Sequence, residues 1–276
     1  MRKLLGLVFS ALLLSVLAIG LQADEPDGDV SAYLQGAHIS LEDVEAKLTN
    51  AGFEIVTTFK SIKKGKTVVF TCPTLKKEAA SKPMRANIAV LRIFVDDQEQ
   101  TISIANPVYF GKAYMQDDYK HETFSAVKAK LEKEFPGLKG SEDAMEFDDL
   151  GDFRFTMMHP RYDEVEVVGE GTNDELLEKA RSYKKGKMLS FELKITDETT
   201  LLGYAIGRGT ERFVKKIGRN NAGLLPWPIV INDGKATILQ AEYYIAMNYP
   251  MLGMMQFGGI ASAPGNVIKD LKKPFK

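Results

Sequence analysis

The spacing of hydrophobic positions over the first 139 residues predicts a strand, a helix, four strands and a second helix. Leu41 and Leu48 stand at helical spacing after Ser40 and Asp43, a hydroxyl and an acid placed as in a capping box. Apolar runs bounded by turn residues predict the strands. The predicted strands are residues 31–38, 53–59, 67–72, 87–95 and 100–105, the predicted helices begin at residue 41 and span residues 124–135, and residues 75–81 form a polar connector.

The same order of elements returns after residue 140. Thr172 and Glu175 form a second capping box, and Asn232-Asp233-Gly234 is a strong hairpin turn. The predicted strands of this part are residues 165–168, 188–195, 200–206, 225–231 and 236–247, and its predicted helices begin at residue 173 and span residues 261–271. We therefore expect an α+β protein made of tandem β-α-β-β-β-β-α domains, residues 24–139 and 140–276.

A second sign of repetition is a strand that runs into an Asn-Pro corner at Asn106-Pro107, followed by aromatic residues. Asn248, Tyr249 and Pro250 echo this corner in the second part. Aromatic side chains around such a corner can line a ligand groove, bury a domain interface or cap the sheet. The candidate ligand-binding residues are Cys72, Asn106, Pro107, Tyr109, Tyr114, Asn248 and Tyr249.

The N-terminus has the pattern of a secretory signal peptide. Arg2 and Lys3 precede an apolar stretch at residues 4–21, and Ala23 offers a small residue at a cleavage point after residue 23. We therefore expect a periplasmic or secreted protein. An uncleaved inner-membrane anchor is the alternative, because the apolar stretch just reaches membrane-spanning length.

Composition narrows the functional classes. The formal net charge of −1 argues against a general nucleic-acid binder. A single cysteine, Cys72, cannot form an internal disulfide, so the fold must depend on its core. Contact with a membrane is expected only through an uncleaved signal peptide.

Several of these features together resemble the domain-of-unknown-function family 302 (DUF302). The resemblance rests on the helix at residues 40–53 that ends in Gly-Phe, on the strand Val69-Phe70-Thr71-Cys72-Pro73, and on Asn106-Pro107. It covers about residues 31–137, and residues 140–276 are identified by their echo of this part as a second, diverged domain of the same kind. The resemblance implies a curved antiparallel sheet, similar to the TATA-binding protein, with helices on one face. It implies no activity.

The resemblance also marks where this chain departs from the family pattern. Cys72-Pro73 fits the cysteine that family members often carry at the end of the third strand. Members often have Leu-Pro-Cys at the start of the fourth strand, where this chain has Leu225-Pro226-Trp227 in its second part and Ala86-Asn87-Ile88 in its first. The resemblance therefore implies no function that depends on a cysteine pair.

Methionine and histidine raise the alternative of a soft-metal or haem site. Thioethers suit Cu(I), and methionine with histidine can also ligate haem iron. The candidate ligands are Met157, Met158, His159, Met251, Met254 and Met255. Packing of methionine in an irregular core is the favoured interpretation, and the sequence requires no cofactor.

The sequence lacks the Gly-x-Ser-x-Gly, phosphate-loop and dinucleotide motifs. Cys72 as a nucleophile would need a base that the local sequence does not provide, and a buried structural role is favoured. We therefore predict an exported non-enzymatic binding or interaction protein. Copper or haem binding and a Cys72-dependent enzyme are the alternatives. The partner is expected to be a small ligand or a protein, and the free sheet face is expected to meet the other domain or a second copy in a homodimer.

Overall fold

The computed structural model describes residues 24–154 and 160–276 and confirms the α+β class. The predicted signal peptide at residues 1–23 lies outside the described residues, as do the candidate metal ligands Met157, Met158 and His159. Two large antiparallel sheets, one from each half of the chain, pack together with their helices, and a small two-stranded sheet accompanies them.

The N-terminal half is built on a six-stranded sheet of order β3-β4-β5-β6-β2-β7, while β1 pairs with β8. The elements are β1 (Asp29–Ser31), β2 (Tyr33–Ala37), α1 (Leu41–Asn50), β3 (Glu54–Ile62), β4 (Gly65–Thr71), α2 (Pro73–Ala79), β5 (Leu91–Asp96), β6 (Thr101–Ala105), α3 (Pro107–Met115), α4 (His121–Glu134), β7 (Lys139–Gly140) and β8 (Ala144–Glu146). Strands β7 and β8 lie on either side of Ser141, close to the predicted domain limit, and both pair with strands of this half.

The C-terminal half repeats this topology. Its elements are β9 (Val165–Glu170), α5 (Asn173–Ser182), β10 (Leu189–Lys194), β11 (Thr200–Tyr204), α6 (Phe213–Ile217), β12 (Trp227–Asn232), β13 (Lys235–Leu239), α7 (Ala241–Asn248), α8 (Met254–Gly258) and α9 (Ala263–Lys272). The sheet order β10-β11-β12-β13-β9 matches β3-β4-β5-β6-β2 strand for strand. Ser40 and Thr172 are both N-caps, since their hydroxyls accept from the N–H groups of Asp43 and Glu175. The Thr172 N–H donates in return to the Glu175 carboxylate and completes a capping box, whereas the Ser40 hydroxyl donates to the Asp43 carboxylate.

The predicted connector at residues 75–81 is wrong, because α2 occupies most of it. Pro73 at the first helical position fixes the backbone torsion that a helix needs, and Leu75 and Ala79 bury its inner face. A 3₁₀ helix, Pro83–Ala89, follows, so the next strand begins at Leu91 rather than at residue 87.

The first predicted corner begins a helix, and the second lies at the end of one, since α7 finishes at Asn248. Asn106 is the N-cap of α3 and its side chain accepts from the Val108 N–H, while Pro107 takes the first helical position. The predicted strand at residues 236–247 likewise ends at Leu239, and α7 follows. Both helices are buried on nearly every side, and an apolar run of this kind has no polar face to reveal its helical period.

This topology corrects the alignment of the repeat. Because α3 follows β6 and α7 follows the equivalent strand β13, Asn106-Pro107 corresponds to Gln240-Ala241, and not to Asn248 near Pro250. Leu91 of β5 lies opposite Phe70 of β4, and Trp227 of β12 lies opposite Tyr204 of β11. Leu91 and Trp227 are therefore the corresponding residues of the two sheets. The aromatic pairs Tyr109-Phe110 and Tyr243-Tyr244 therefore occupy equivalent turns of the two helices.

The halves meet through reciprocal crossing segments. The 3₁₀ helix Ala222–Leu224, just before β12, lies on β4 and β5 of the N-terminal sheet, and Pro83–Ala89, just before β5, lies on β11 and β12. A Cβ at Gly223 would lie 3.3 Å from the Cβ of Phe94, so the approach is close. The other half thus covers the sheet face that was expected to need a partner.

Candidate functional site

The strongest candidate site surrounds Arg92 in the middle of the interface between the halves. Alternate residues of a strand share a face, so Arg92 points the same way as Phe94 and Asp96, toward the C-terminal half. Only 7% of Arg92 is exposed, and its Nε and Nη2 atoms have no hydrogen-bond partner among the described residues.

An arginine in this state is unusual. Its guanidinium stays charged at any physiological pH, and buried charges in proteins are normally paired or hydrogen-bonded. Within the described residues, 24–154 and 160–276, Arg92 takes part in no ion pair. Two buried donors without an acceptor can bind an anion or a water molecule at this position.

A small cavity lies against the guanidinium. Its volume of about 10 Å³ is that of a single water-sized species. Both halves contribute to its wall, which includes Tyr33, Phe110 and Tyr114 from the N-terminal half and Tyr244 and Asn248 from the C-terminal half. The site is therefore complete only when the halves are together.

Hydrogen bonds fix the polar lining of this cavity. The Tyr33 hydroxyl donates to Oδ1 of Asn248, and Nδ2 of Asn248 donates to the carbonyl of Tyr244 at 2.8 Å. The Tyr244 hydroxyl in turn donates to the Leu224 carbonyl at 2.7 Å. These hydrogen bonds hold the three side chains in place, and the Asn248 side-chain oxygen accepts from the Tyr33 hydroxyl.

The tyrosines do not neutralise Arg92. Burial raises the pKa of Tyr33 and Tyr114 well above the ordinary value, and it also raises the pKa of Tyr244, although the charge on Arg92 lowers each of them in part. All three phenols therefore remain protonated at neutral pH. The positive charge of Arg92 is left without a negative partner.

The structure brings together two of the predicted ligand-binding residues, Tyr114 and Asn248, in the wall of this cavity. Tyr109 and Tyr249 instead fix the interface and a loop, since their hydroxyls donate to the carbonyls of Met247 at 3.0 Å and Gly218 at 2.7 Å. Asn106 and Pro107 are not part of the cavity wall and serve to start α3.

Cys72 lies apart from this site. It precedes α2, only 4% of it is exposed, and it does not line the Arg92 cavity. The predicted burial of this cysteine is confirmed.

Sequence reasoning missed Arg92 and Tyr33. The one available signal was a charged residue in the centre of the apolar run Val90-Leu91-Arg92-Ile93-Phe94. Such an interruption of a central strand predicts a buried charge, and hence a functional or paired group.

Core packing is the wrong interpretation for three of the candidate methionines. Met251, Met254 and Met255 are 65%, 69% and 93% exposed, and α8 has no buried residue. Within the described parts of the chain, no three His, Cys, Asp or Glu side chains are grouped as for a metal ion. Nor does that part contain a helix with the length and apolar character needed to cross a bilayer.

Comparison with known proteins adds no assignment to this geometry. No protein-family model, no curated protein and no solved structure matches the chain.

Proposed function

We propose that this is an exported binding protein whose ligand is a small monoanion held by Arg92 between the two halves. The observation that carries the proposal is the buried guanidinium with partnerless Nε and Nη2 atoms. An anion there would accept two charge-assisted hydrogen bonds, which are about twice as strong as neutral ones.

The size of the cavity defines the ligand class. A space of about 10 Å³ holds a single water-sized species, so even a chloride ion, which is larger than water, requires the cavity to widen. A formate carboxylate would require the wall formed by Tyr33 and Tyr244 to move slightly outward. Because that wall comes from both halves, binding is expected to stabilise their association.

We predict that Arg92→Met abolishes anion-dependent stabilisation. The unfolding midpoint of the wild-type protein should rise with potassium chloride or potassium formate at constant ionic strength, balanced with bulky gluconate. At 100 times the Kd the gain is about 2.7 kcal/mol. The variant should show no such rise, and without anion it should be more stable by about 1–4 kcal/mol, because methionine removes an unpaired buried charge.

Two comparisons make this test specific. Arg212→Met changes an exposed arginine and should keep the full response to chloride or formate. Acetate, which is bulkier than formate, should stabilise the wild type less. Equal anion-induced shifts in the wild type and in Arg92→Met would contradict the proposal.

A second candidate function is soft-metal binding, favoured by the exposure of Met251, Met254 and Met255. Thioethers at the surface are accessible to Cu(I), which prefers sulfur ligands. Titration with Cu(I) under reducing conditions is expected to load the wild type, and the triple leucine variant should remain unloaded. Retention of copper by that variant would exclude these three residues as the ligands. Met145→Leu, at a partly buried position elsewhere, is the matched control.

A further inference from the structure

A second chemical constellation lies at the start of α4, on the outside of the N-terminal half. His121 and Ser125 stand four residues apart and therefore share one face of the helix. The distance from Ser125 Oγ to His121 Nε2 is 2.8 Å, and the distance from His121 Nδ1 to the Tyr119 hydroxyl is 2.9 Å. A hydroxyl, an imidazole and an orienting group are thus connected in series.

The third member of this series is firmly positioned. The Tyr119 ring stacks on Phe124 with centroids 5.4 Å apart and an angle of 9°, and it meets the edge of Phe147 at 5.7 Å. Burial raises the pKa of Tyr119 well above the ordinary value, so its hydroxyl remains neutral. A fixed neutral oxygen beside Nδ1 can hold the imidazole in one orientation.

This arrangement matches the requirements of an activated nucleophile. In the tautomer that carries its proton on Nδ1, His121 donates to Tyr119 and accepts the Ser125 hydroxyl proton at Nε2. A nucleophile within hydrogen-bond reach of a base, which is itself oriented by a third group, is the signature of nucleophilic catalysis.

The pair opens onto a groove large enough for a substrate. The groove has a volume of about 470 Å³, within the usual range of 300–1,000 Å³ for small-molecule sites. His121 and Ser125 line it together with apolar residues such as Val108 and with the charged residues Asp29, Lys128 and Glu132. The Ser125 hydroxyl lies beside the apolar part of this wall, and this arrangement fits an ester with a small apolar acyl group.

We propose that Ser125 and His121 form an acyl-transfer site that hydrolyses small esters. Ser125 Oγ would bond to the carbonyl carbon while its proton passes to His121 Nε2, which then protonates the departing alcohol as the ester C–O bond breaks. Water would attack the acyl-serine by the same route, giving the free acid and restoring the serine. Tyr119 is a positioning residue. The proposal is independent of anion binding at Arg92, which lies in a different cavity.

The test is covalent labelling of the purified protein with diisopropyl fluorophosphate, followed by peptide mass spectrometry. A bond forms between Ser125 Oγ and phosphorus, the P–F bond breaks, fluoride leaves, and the proton passes through His121 to water. We expect the adduct on Ser125 in the wild type. His121→Gln should label 10²–10⁴-fold more slowly, the usual range for loss of a general base.

Turnover of p-nitrophenyl acetate gives the second readout. Ser125→Ala should lose the enzyme-dependent hydrolysis, while Ser182→Ala, a helical serine on the exposed surface of α5, should retain it. Tyr119→Phe keeps the stacked ring and should lower kcat with little change in KM. No adduct on Ser125, or equal labelling rates in the wild type and in His121→Gln, would overturn the proposal.

Discussion

Replacing Asp96 by asparagine is expected to lower the free energy of unfolding by about 3 kcal/mol, because it leaves a largely buried arginine without its counter-charge. Asp96 is fully buried at the end of β5. Arg219, which is only 14% exposed, crosses from the C-terminal half and donates from Nε and Nη2 to its two carboxylate oxygens at 2.7 Å each. The measurement is urea-induced unfolding.

A double-mutant cycle tests whether the loss belongs to this pair. Arg219→Met alone should also destabilise, and the double variant should cost less than the sum of the single variants. The exposed pair Lys194 and Asp197 provides the control, since Asp197→Asn should leave the urea midpoint unchanged. A strictly additive cycle would contradict a direct interaction between Asp96 and Arg219.

The same pair predicts how stability depends on pH. Burial alone would raise the pKa of Asp96, but hydrogen bonds from Arg219 and from the N–H groups of Gln98 and Glu99 lower it below the ordinary value. A depressed carboxyl pKa stabilises the folded state fully above the unfolded-state value of about 3.9. That contribution is lost as the pH falls through the lower folded-state value, and Asp96→Asn should lose this part of the acid sensitivity.

Gly111→Ala is expected to destabilise the protein by about 1–3 kcal/mol, the usual cost of forcing an extra group into a packed core. A Cβ at this position in α3 would lie 2.5 Å from Cγ of Phe124 in α4. Phe124 is fully buried and its ring is stacked on Tyr119, so it has little room to move. Thermal unfolding of the variant measures the effect.

Gly265 in α9 is the matched control for Gly111. A Cβ there would meet nothing within 4 Å, and its φ is not positive. Gly265→Ala should therefore stabilise the protein by about 0.5–1 kcal/mol, which is the difference in helix propensity between glycine and alanine. If both substitutions change stability in the same direction, the close contact between α3 and α4 is not what restricts residue 111.

Local signals were sufficient for part of the fold. The N-cap at Ser40, the capping box at Thr172 and the hairpin turn at Asn232-Asp233-Gly234 each rest on hydrogen bonds or torsions within a few residues, and the helices and hairpin they predicted are present. The repeat could be recognised because these signals recur in the same order.

The parts that sequence reasoning missed are those set by distant contacts. Helices α3 and α7 are enclosed by both halves, so their sequences carry no polar stripe from which a helix could be read. Arg92 gains its significance only from the absence of an acceptor around it, and that depends on Tyr244 and Asn248, about 150 positions later in the chain.

The crossing of Pro83–Ala89 and Ala222–Leu224 also determines how the two halves assemble. Each half places the segment before its fourth strand on the sheet of the other, which is the reciprocal exchange of a two-fold symmetric dimer. The chain therefore contains its own dimer interface, and the surface through which one half would recruit a copy of itself is already occupied. Because each sheet is covered by the opposite half, the two halves are expected to unfold together in a single cooperative step.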